Sequence, residues 1–262
     1  MTNLVYGVRV VSSQYYRLKT ITVHSPLLVL VLQGQKKLIG LDETIVVKSG
    51  QVVMVAKETQ WDVVNDPDGS SSYEAIALSM DDELIASFYS KLLKTSQQVV
   101  STATTILANE LLSESLLRTL PSVSGYDISD TMLQHRIQEV LLCLHEMGYM
   151  FSPNPDQSFA TQIRSVVMQH PQAQWDVKTL AAHFYMSEST LRRRMPQNMT
   201  AAALIKETRL ELALGLLQTT ALSIGEVADH CGWSSHSRFT NSFQKRWGVT
   251  PSVVRSKLKE SG

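Results

Sequence analysis

The chain has 262 residues, with 24 Lys and Arg set against 24 Asp and Glu, so its formal net charge is zero. A hydrophobic fraction of 44% and a charged fraction of 18% exclude a disordered polymer and leave room for one large domain or two ordinary ones. Zero net charge argues against a polyanionic partner only if charge is spread evenly, and it is not: residues 1–155 carry 11 basic and 16 acidic side chains, residues 156–262 carry 13 and 8.

The N-terminus has no basic patch followed by an apolar stretch and a cleavage site, so no secretory signal is expected. From residue 16 to residue 80 the pattern is β. Apolar, β-branched runs recur at residues 18–23, 27–32, 44–47, 52–55, 61–64 and 73–78, separated by turn signals such as Ser49-Gly50 and Asn65-Asp66-Pro67-Asp68-Gly69. Short strands with regular turns predict a small barrel or sandwich, and of these a cupin-like β-barrel is the expectation carried forward. A metal-binding barrel needs several His and a carboxylate converging on one ion; this stretch holds only His24, so neither a metal nor another cofactor is expected. The barrel either holds a small-molecule effector or is filled by its own side chains. The longest apolar run, residues 26–32, is too short to cross a bilayer, so no membrane is expected.

After Asp81 the periodicity changes, and residues 82–94, 99–120 and 129–147 read as helices. In the last of these, Leu133, Ile137, Val140, Leu144 and Met147 are spaced 4, 3, 4, 3, a coiled-coil seam two heptads long and a candidate dimer interface. Its competing role is packing against the chain's own barrel. Cys143 lies in the same helix with no basic activator beside it, which disfavours a reactive thiol. The two cysteines, Cys143 and Cys231, exclude a disulfide scaffold and suit a reducing cytoplasm. The segment FSPNPDQS, residues 151–158, predicts a linker between a front domain, residues 1–150, and a back domain, residues 159–262.

The back domain repeats itself. Leu180-Ala181-Ala182-His183-Phe184-Tyr185-Met186-Ser187 superposes on Val227-Ala228-Asp229-His230-Cys231-Gly232-Trp233-Ser234 with an offset of 47 residues. Each copy is a short helix with a small residue at its centre, a break, a capping Ser and a second helix, the layout of a helix-turn-helix. In the second helix of the first copy, Leu191 and Met195 face the core, leaving Ser189, Arg192 and Arg193 outward and Arg194 at the border. In the second copy Phe239, Phe243 and Trp247 are core, which puts His236, Ser237, Thr240 and Asn241 on the opposite face. Ser189, Arg192, Arg193, His236, Ser237, Thr240 and Asn241 are therefore candidate base contacts, because Arg suits guanine and Asn suits adenine. Arg194, Arg238, Lys245 and Arg246 are candidate phosphate contacts. A helix over residues 200–218 joins the copies, and at about 1.5 Å per residue it spans about 28 Å, near the spacing of successive major grooves.

These residues resemble the AraC/XylS transcription regulators. The likeness runs over residues 159–258 and is most specific at Ile224, Val227, Ala228, Gly232, Trp233, Ser234, Phe239, Phe243, Lys245, Gly248, Pro251 and Arg255, with Arg209, Leu210, Ala213 and Leu217 similar to the family's connecting helix. Two departures stand out. Residues 196–200, PQNMT, lack the usual Gly, so Asn198 takes the left-handed position; and Arg238 stands where many members carry an aromatic ring. The resemblance implies a seven-helix, all-α DNA-binding domain with two helix-turn-helix units behind a barrel-plus-helices domain, an α+β chain overall. It implies a cytoplasmic protein of the bacterial nucleoid, more often an activator than a repressor. Its partners would be double-stranded promoter DNA, RNA polymerase, a possible small-molecule effector and a second copy of itself as a homodimer. An enzyme is not expected, since no metal cluster, phosphate-binding Gly loop or nucleophile–base pair is spelled. The alternative is an interaction protein whose barrel binds a protein partner rather than a small molecule.

Overall fold

A computed structural model describes residues 7–92, 96–120, 129–152 and 158–255. The chain divides into two units, residues Met1–Pro155 and Asp156–Gly262. Most of the expected linker, residues 153–157, lies outside the described residues.

The front unit opens with eight strands: β1 (Val8–Ser12), β2 (Tyr16–Val23), β3 (Leu27–Gln33), β4 (Gln35–Ile39), β5 (Thr44–Lys48), β6 (Gln51–Val55), β7 (Thr59–Asp66) and β8 (Tyr73–Ser79). Helix α1 (Asp82–Tyr89), strands β9 (Gln98–Val100) and β10 (Ala103–Leu107), helices α2 (Glu110–Arg118) and α3 (Asp130–Glu146) and strand β11 (Tyr149–Phe151) follow. The expected helix over residues 99–120 is thus corrected. Its first part is extended, because Thr104, Thr105 and Ile106 are β-branched and pair antiparallel with Met54, Val53 and Val52.

Of the barrel and the sandwich that the strand pattern allows, the barrel is corrected. The strands form two separate sheets, ordered β1-β8-β3-β6-β10 and β2-β7-β4-β5, with β9 and β11 as a parallel pair. The chain leaves the first sheet for the second between β3 and β4 at Gly34, whose backbone is left-handed at φ 75°. There a Cβ would lie 2.5 Å from the Asp66 carbonyl oxygen, so only glycine fits.

Both faces of the first sheet are buried. On one, Leu28, Leu30, Val52, Met54, Ile76 and Leu78 pack with α1, α2 and α3. Leu133, Ile137, Val140 and Leu144 belong to this core, and Met147 packs on its edge. The stripe read as a dimer seam is therefore spent inside the front unit. A sheet face this apolar needs a cover, and burying each Leu or Ile contributes about 1.5–3 kcal/mol. On the other face Val29, Val31, Val53 and Val55 are buried, and Tyr73 of β8 meets Lys36 of β4, whose ammonium lies 5.5 Å from the ring centre. Lys36 donates to Asn65 Oδ1 at 2.7 Å, and Asn65 Nδ2 donates to the Tyr16 hydroxyl at 2.7 Å. Burial pushes the Lys36 amine down to about 7 and the Tyr73 phenol well above its usual range.

The back unit consists, among the described residues, of seven helices: α4 (Phe159–Gln169), α5 (Val177–His183), α6 (Glu188–Arg194), α7 (Ala201–Thr219), α8 (Ile224–His230), α9 (His236–Trp247) and α10 (Pro251–Val254). Local chemistry sets their ends. Asp176 and Thr179 form a capping box on α5, as Ser223 and Glu226 do on α8. These hydrogen bonds hold the Asp176 and Glu226 carboxyls below their usual range. Ser187, Thr200 and Ser235 cap α6, α7 and α9, and Pro196 follows the end of α6. Asn198 has φ 69°, the left-handed position expected of it. Helix α7 buries Leu204, Thr208, Leu210, Ala213, Leu214 and Leu217 on several faces, because it packs against α4, α8 and α10.

Candidate nucleic-acid interface

Helix α6 hangs on one buried anchor. Leu191 is fully buried with Leu180 and Ala181 of α5 and with Leu204 of α7, so the residues around it turn outward. Ser189, Arg192 and Arg193 are exposed. Arg192 is held by Glu188 one turn earlier, N to O 2.9 Å, while Arg193 makes no ion pair among the described residues. Arg194 lies back on α4, its guanidinium 4.3 Å from the centre of the Phe159 ring. That contact spends part of its charge inside the protein.

Helix α9 is anchored by three rings. Phe239, Phe243 and Trp247 are buried at four-residue spacing, with centroids 5.7 and 6.4 Å apart, and Trp233 packs on Phe239 at 5.8 Å. His236, Ser237, Arg238, Asn241 and Lys245 are exposed, and Thr240 is half-buried. His236 is not a free side chain: its Nε2 lies 3.0 Å from Asp229 Oδ1, and its ring sits where a Cβ on Gly225 would be 3.0 Å away. It staples α9 to α8. Arg246 departs from its expected place at a phosphate. Its Nε donates to Glu207 Oε1 of α7 at 2.6 Å and its guanidinium covers the Trp247 ring at 3.9 Å. Glu207 lies 39 residues away in the chain, so no local pattern points to the pair.

The second helix of each helix-turn-helix thus presents a short polar face held by a partner helix: Ser189, Arg192 and Arg193 on α6; Ser237, Thr240 and Asn241 on α9, with His236 beside them. Two interactions outside the predicted contact residues hold the frame. Arg164 of α4 and Glu211 of α7 make a nearly buried ion pair at 2.7 Å. Arg255 donates to the Thr220 carbonyl oxygen at 2.7 Å, and burial lowers its pKa. Both partners are distant in sequence, so periodicity carried no signal for them.

Residues 180–257 match the family described as a helix-turn-helix domain, and residues 26–149 match the ExsA N-terminal regulatory domain. The chain thus joins an AraC-type helix-turn-helix domain to an ExsA-type regulatory domain, and its homologues are AraC-family transcription regulators. Among its relatives is the urease operon transcriptional activator of Escherichia coli, 24% identical over 135 residues, which are 50% of this chain and 46% of that one. The HTH-type transcriptional regulator YdeO of Escherichia coli K12 is 26% identical over 53% of this chain and 58% of its own. The virulence regulon transcriptional activator VirF of Yersinia enterocolitica is 27% identical over 58% of this chain and 59% of its own. The likeness therefore spans about half to three fifths of these AraC/XylS relatives. A crystal structure of ToxT from Vibrio cholerae shares the fold, with a TM-score of 0.62 at 15% identity over 97% of this chain and 98% of that one.

Among the described residues no group of three or more His, Cys, Asp and Glu side chains is placed to hold a metal, and no helix is long and apolar enough to cross a membrane. Cys143 is buried 3.7 Å from the Ser115 hydroxyl, and burial raises its thiol pKa. Burial pushes the Cys231 thiol up to about 12. Both behave as packing groups.

Proposed function

We propose that this protein is a sequence-specific DNA-binding regulator, an activator of transcription, that sets α6 and α9 in adjacent major grooves of promoter DNA. The observation that carries the reading is the pairing of two exposed, polar recognition faces, each capped by serine and each backed by a buried anchor, at the two ends of one 19-residue helix. Arg193 and Asn241 are the leading base contacts because they are exposed and uncommitted; Ser189, Arg192, Ser237, Thr240 and His236 adjoin them. Lys245 and Arg238 position the backbone. Residues 159–262 bind DNA, residues 1–150 regulate, and residues 151–158 link them. The protein works at the nucleoid in the cytoplasm, with RNA polymerase as partner and a homodimer as the bound form. With the seam of α3 buried, a dimer through that helix would use its other face, where Met132 and Leu142 are exposed.

The front unit would be the one that takes a small-molecule effector. One structure of ToxT from Vibrio cholerae holds an unsaturated fatty acid, which supports an effector role for the front unit. Genome-wide mapping of bound sites, followed by gel-shift titration of the strongest site at stated salt, tests the reading. A protein enriched nowhere and shifting no duplex overturns it.

A further inference from the structure

The two helix-turn-helix units are built alike, so a difference at matching positions is informative. Tyr185 and Gly232 occupy the same place in the turn, and both backbones are left-handed, with φ 52° and 75°. That conformation is an outlier for a bulky side chain. In the second unit it demands glycine for a second reason: a Cβ on Gly232 would lie 2.3 Å from the Pro171 carbonyl oxygen. In the first unit nothing closes over the turn. The backbone is held by Tyr185 N–H to the Ala182 oxygen at 3.1 Å and Met186 N–H to the Ala181 oxygen at 2.9 Å, and the tyrosine is 98% exposed.

Tyr185 therefore carries two costs, a disfavoured backbone and an aromatic ring left in water. Among the described residues no hydrogen bond, ion pair or ring contact of its side chain offsets either. An outlier of this kind points to a use outside the folded chain. Its position says where. Tyr185 stands two residues before Ser187, the cap of α6, and so beside the face of Ser189, Arg192 and Arg193. When a helix-turn-helix docks, the first residues of its recognition helix reach base edges, which puts the turn before them at the lip of the groove. A phenol suits that lip: its O–H donates to a phosphate oxygen, and its ring lies along the sugar.

We propose that the Tyr185 hydroxyl hydrogen-bonds a backbone phosphate at the lip of the groove that α6 enters, a positioning contact that reads no base. The proposal rests on the DNA-binding function above. A protein surface is the competing occupant, and DNA is favoured because the turn is continuous with the exposed face of α6.

The test uses the full-length protein, Tyr185→Phe, Tyr185→Gly and Arg193→Ala. Each is titrated, over a range of salt, onto a duplex selected from a random library by the wild-type protein and onto an unrelated duplex. Both tyrosine variants should bind about 3–10-fold more weakly, the loss of one solvent-exposed hydrogen bond. The loss should be equal on the two duplexes and leave the salt slope unchanged, because a neutral hydroxyl displaces no counterion. Tyr185→Gly should melt no lower than the wild type, since glycine is at ease in this turn. Unchanged affinity in Tyr185→Gly overturns the proposal, as does a Tyr185→Phe that binds like the wild type. Intact DNA affinity with reduced transcription by purified RNA polymerase overturns it in favour of a protein contact. Arg193→Ala reads the underlying function separately. Loss at Arg193 with none at Tyr185 removes only the tyrosine contact, no loss at either removes the α6 face as a DNA contact, and a wild type that selects no duplex removes the DNA-binding reading itself.

Discussion

Arg209 reaches from the middle of α7 to Pro171, in the loop ahead of α5, where its Nε donates to the carbonyl oxygen at 3.0 Å. Its second nitrogen donates to the Ala173 oxygen at 2.9 Å, and Gly232 of the second helix-turn-helix lies under the same carbonyl of Pro171. One guanidinium thus joins the loop before the first unit, the connecting helix and the turn of the second unit. Arg209→Ala should destabilise the protein by about 2–4 kcal/mol, because hydrogen bonds from a charged, half-buried group are lost together. Gly232→Ala should cost a comparable amount through its left-handed backbone and the crowded Cβ. Urea unfolding measures both, and the double substitution should cost less than the sum, since the two changes loosen one contact.

Arg193 and Asn241 should each lose about 1–3 kcal/mol of DNA affinity on replacement by alanine, with relaxed base preference at one position of the site. Arg246→Ala should behave differently. Its charge is already paired with Glu207 and laid on Trp247, so its main effect should be a lower melting temperature. Lys245→Ala, an exposed neighbour on the same helix, should lower the salt slope of binding by about one without altering stability. A gel-shift series at several salt concentrations, run beside thermal melts, separates the three behaviours.

Ile137 is 2% exposed within the core formed by α3 and the first sheet. Ile137→Ala should destabilise the front unit by about 2–5 kcal/mol, and Ile137→Glu should prevent its folding. Leu142→Glu, on the exposed face of the same helix, should leave the fold intact. Circular dichroism checks the first pair. Sedimentation of Leu142→Glu reports whether the outer face of α3 holds a dimer, with an unchanged mass distribution removing that face.

Lys36 makes stability depend on pH with a defined sign. Its amine titrates near 7 in the folded protein against 10.5 in the unfolded chain. Between those values the unfolded chain holds the extra proton, so stability rises with pH across the window, and the full cost falls below about pH 7. Urea midpoints taken from about pH 6 to about pH 10 should rise more steeply in the wild type than in Lys36→Met. Parallel curves would assign the slope to other groups.

Much of the back unit was legible because its determinants are local. A capping box needs residues three apart, a left-handed cap needs one Gly or Asn, and a recognition helix declares itself by apolar residues at three- and four-residue spacing beside exposed arginine. The front unit was legible only as strands followed by helices. Residues 103–107 read as part of a helix because a run of five is too short to show its period, and pairing with β6 settled it. Strand β4, with the sequence QKKLI, carried only two apolar residues, Leu38 and Ile39, too few to show a period; its Lys36 is buried.

The sequence by itself determined that this protein carries two helix-turn-helix units on a rigid connecting helix, that an acidic half is joined to a basic one, and which residues of α6 and α9 turn away from the core. The charge division follows from residue counts, the paired units from the repeat, and the outward residues from spacing along a single helix. The tertiary structure decided what those residues are free to do. Arg194 is drawn to Phe159, Arg246 to Glu207 and His236 to Asp229, while Arg193 and Asn241 stay uncommitted. It also turned the α3 stripe inward and left Tyr185 in water, because burial and charge pairing depend on groups brought together from far along the chain.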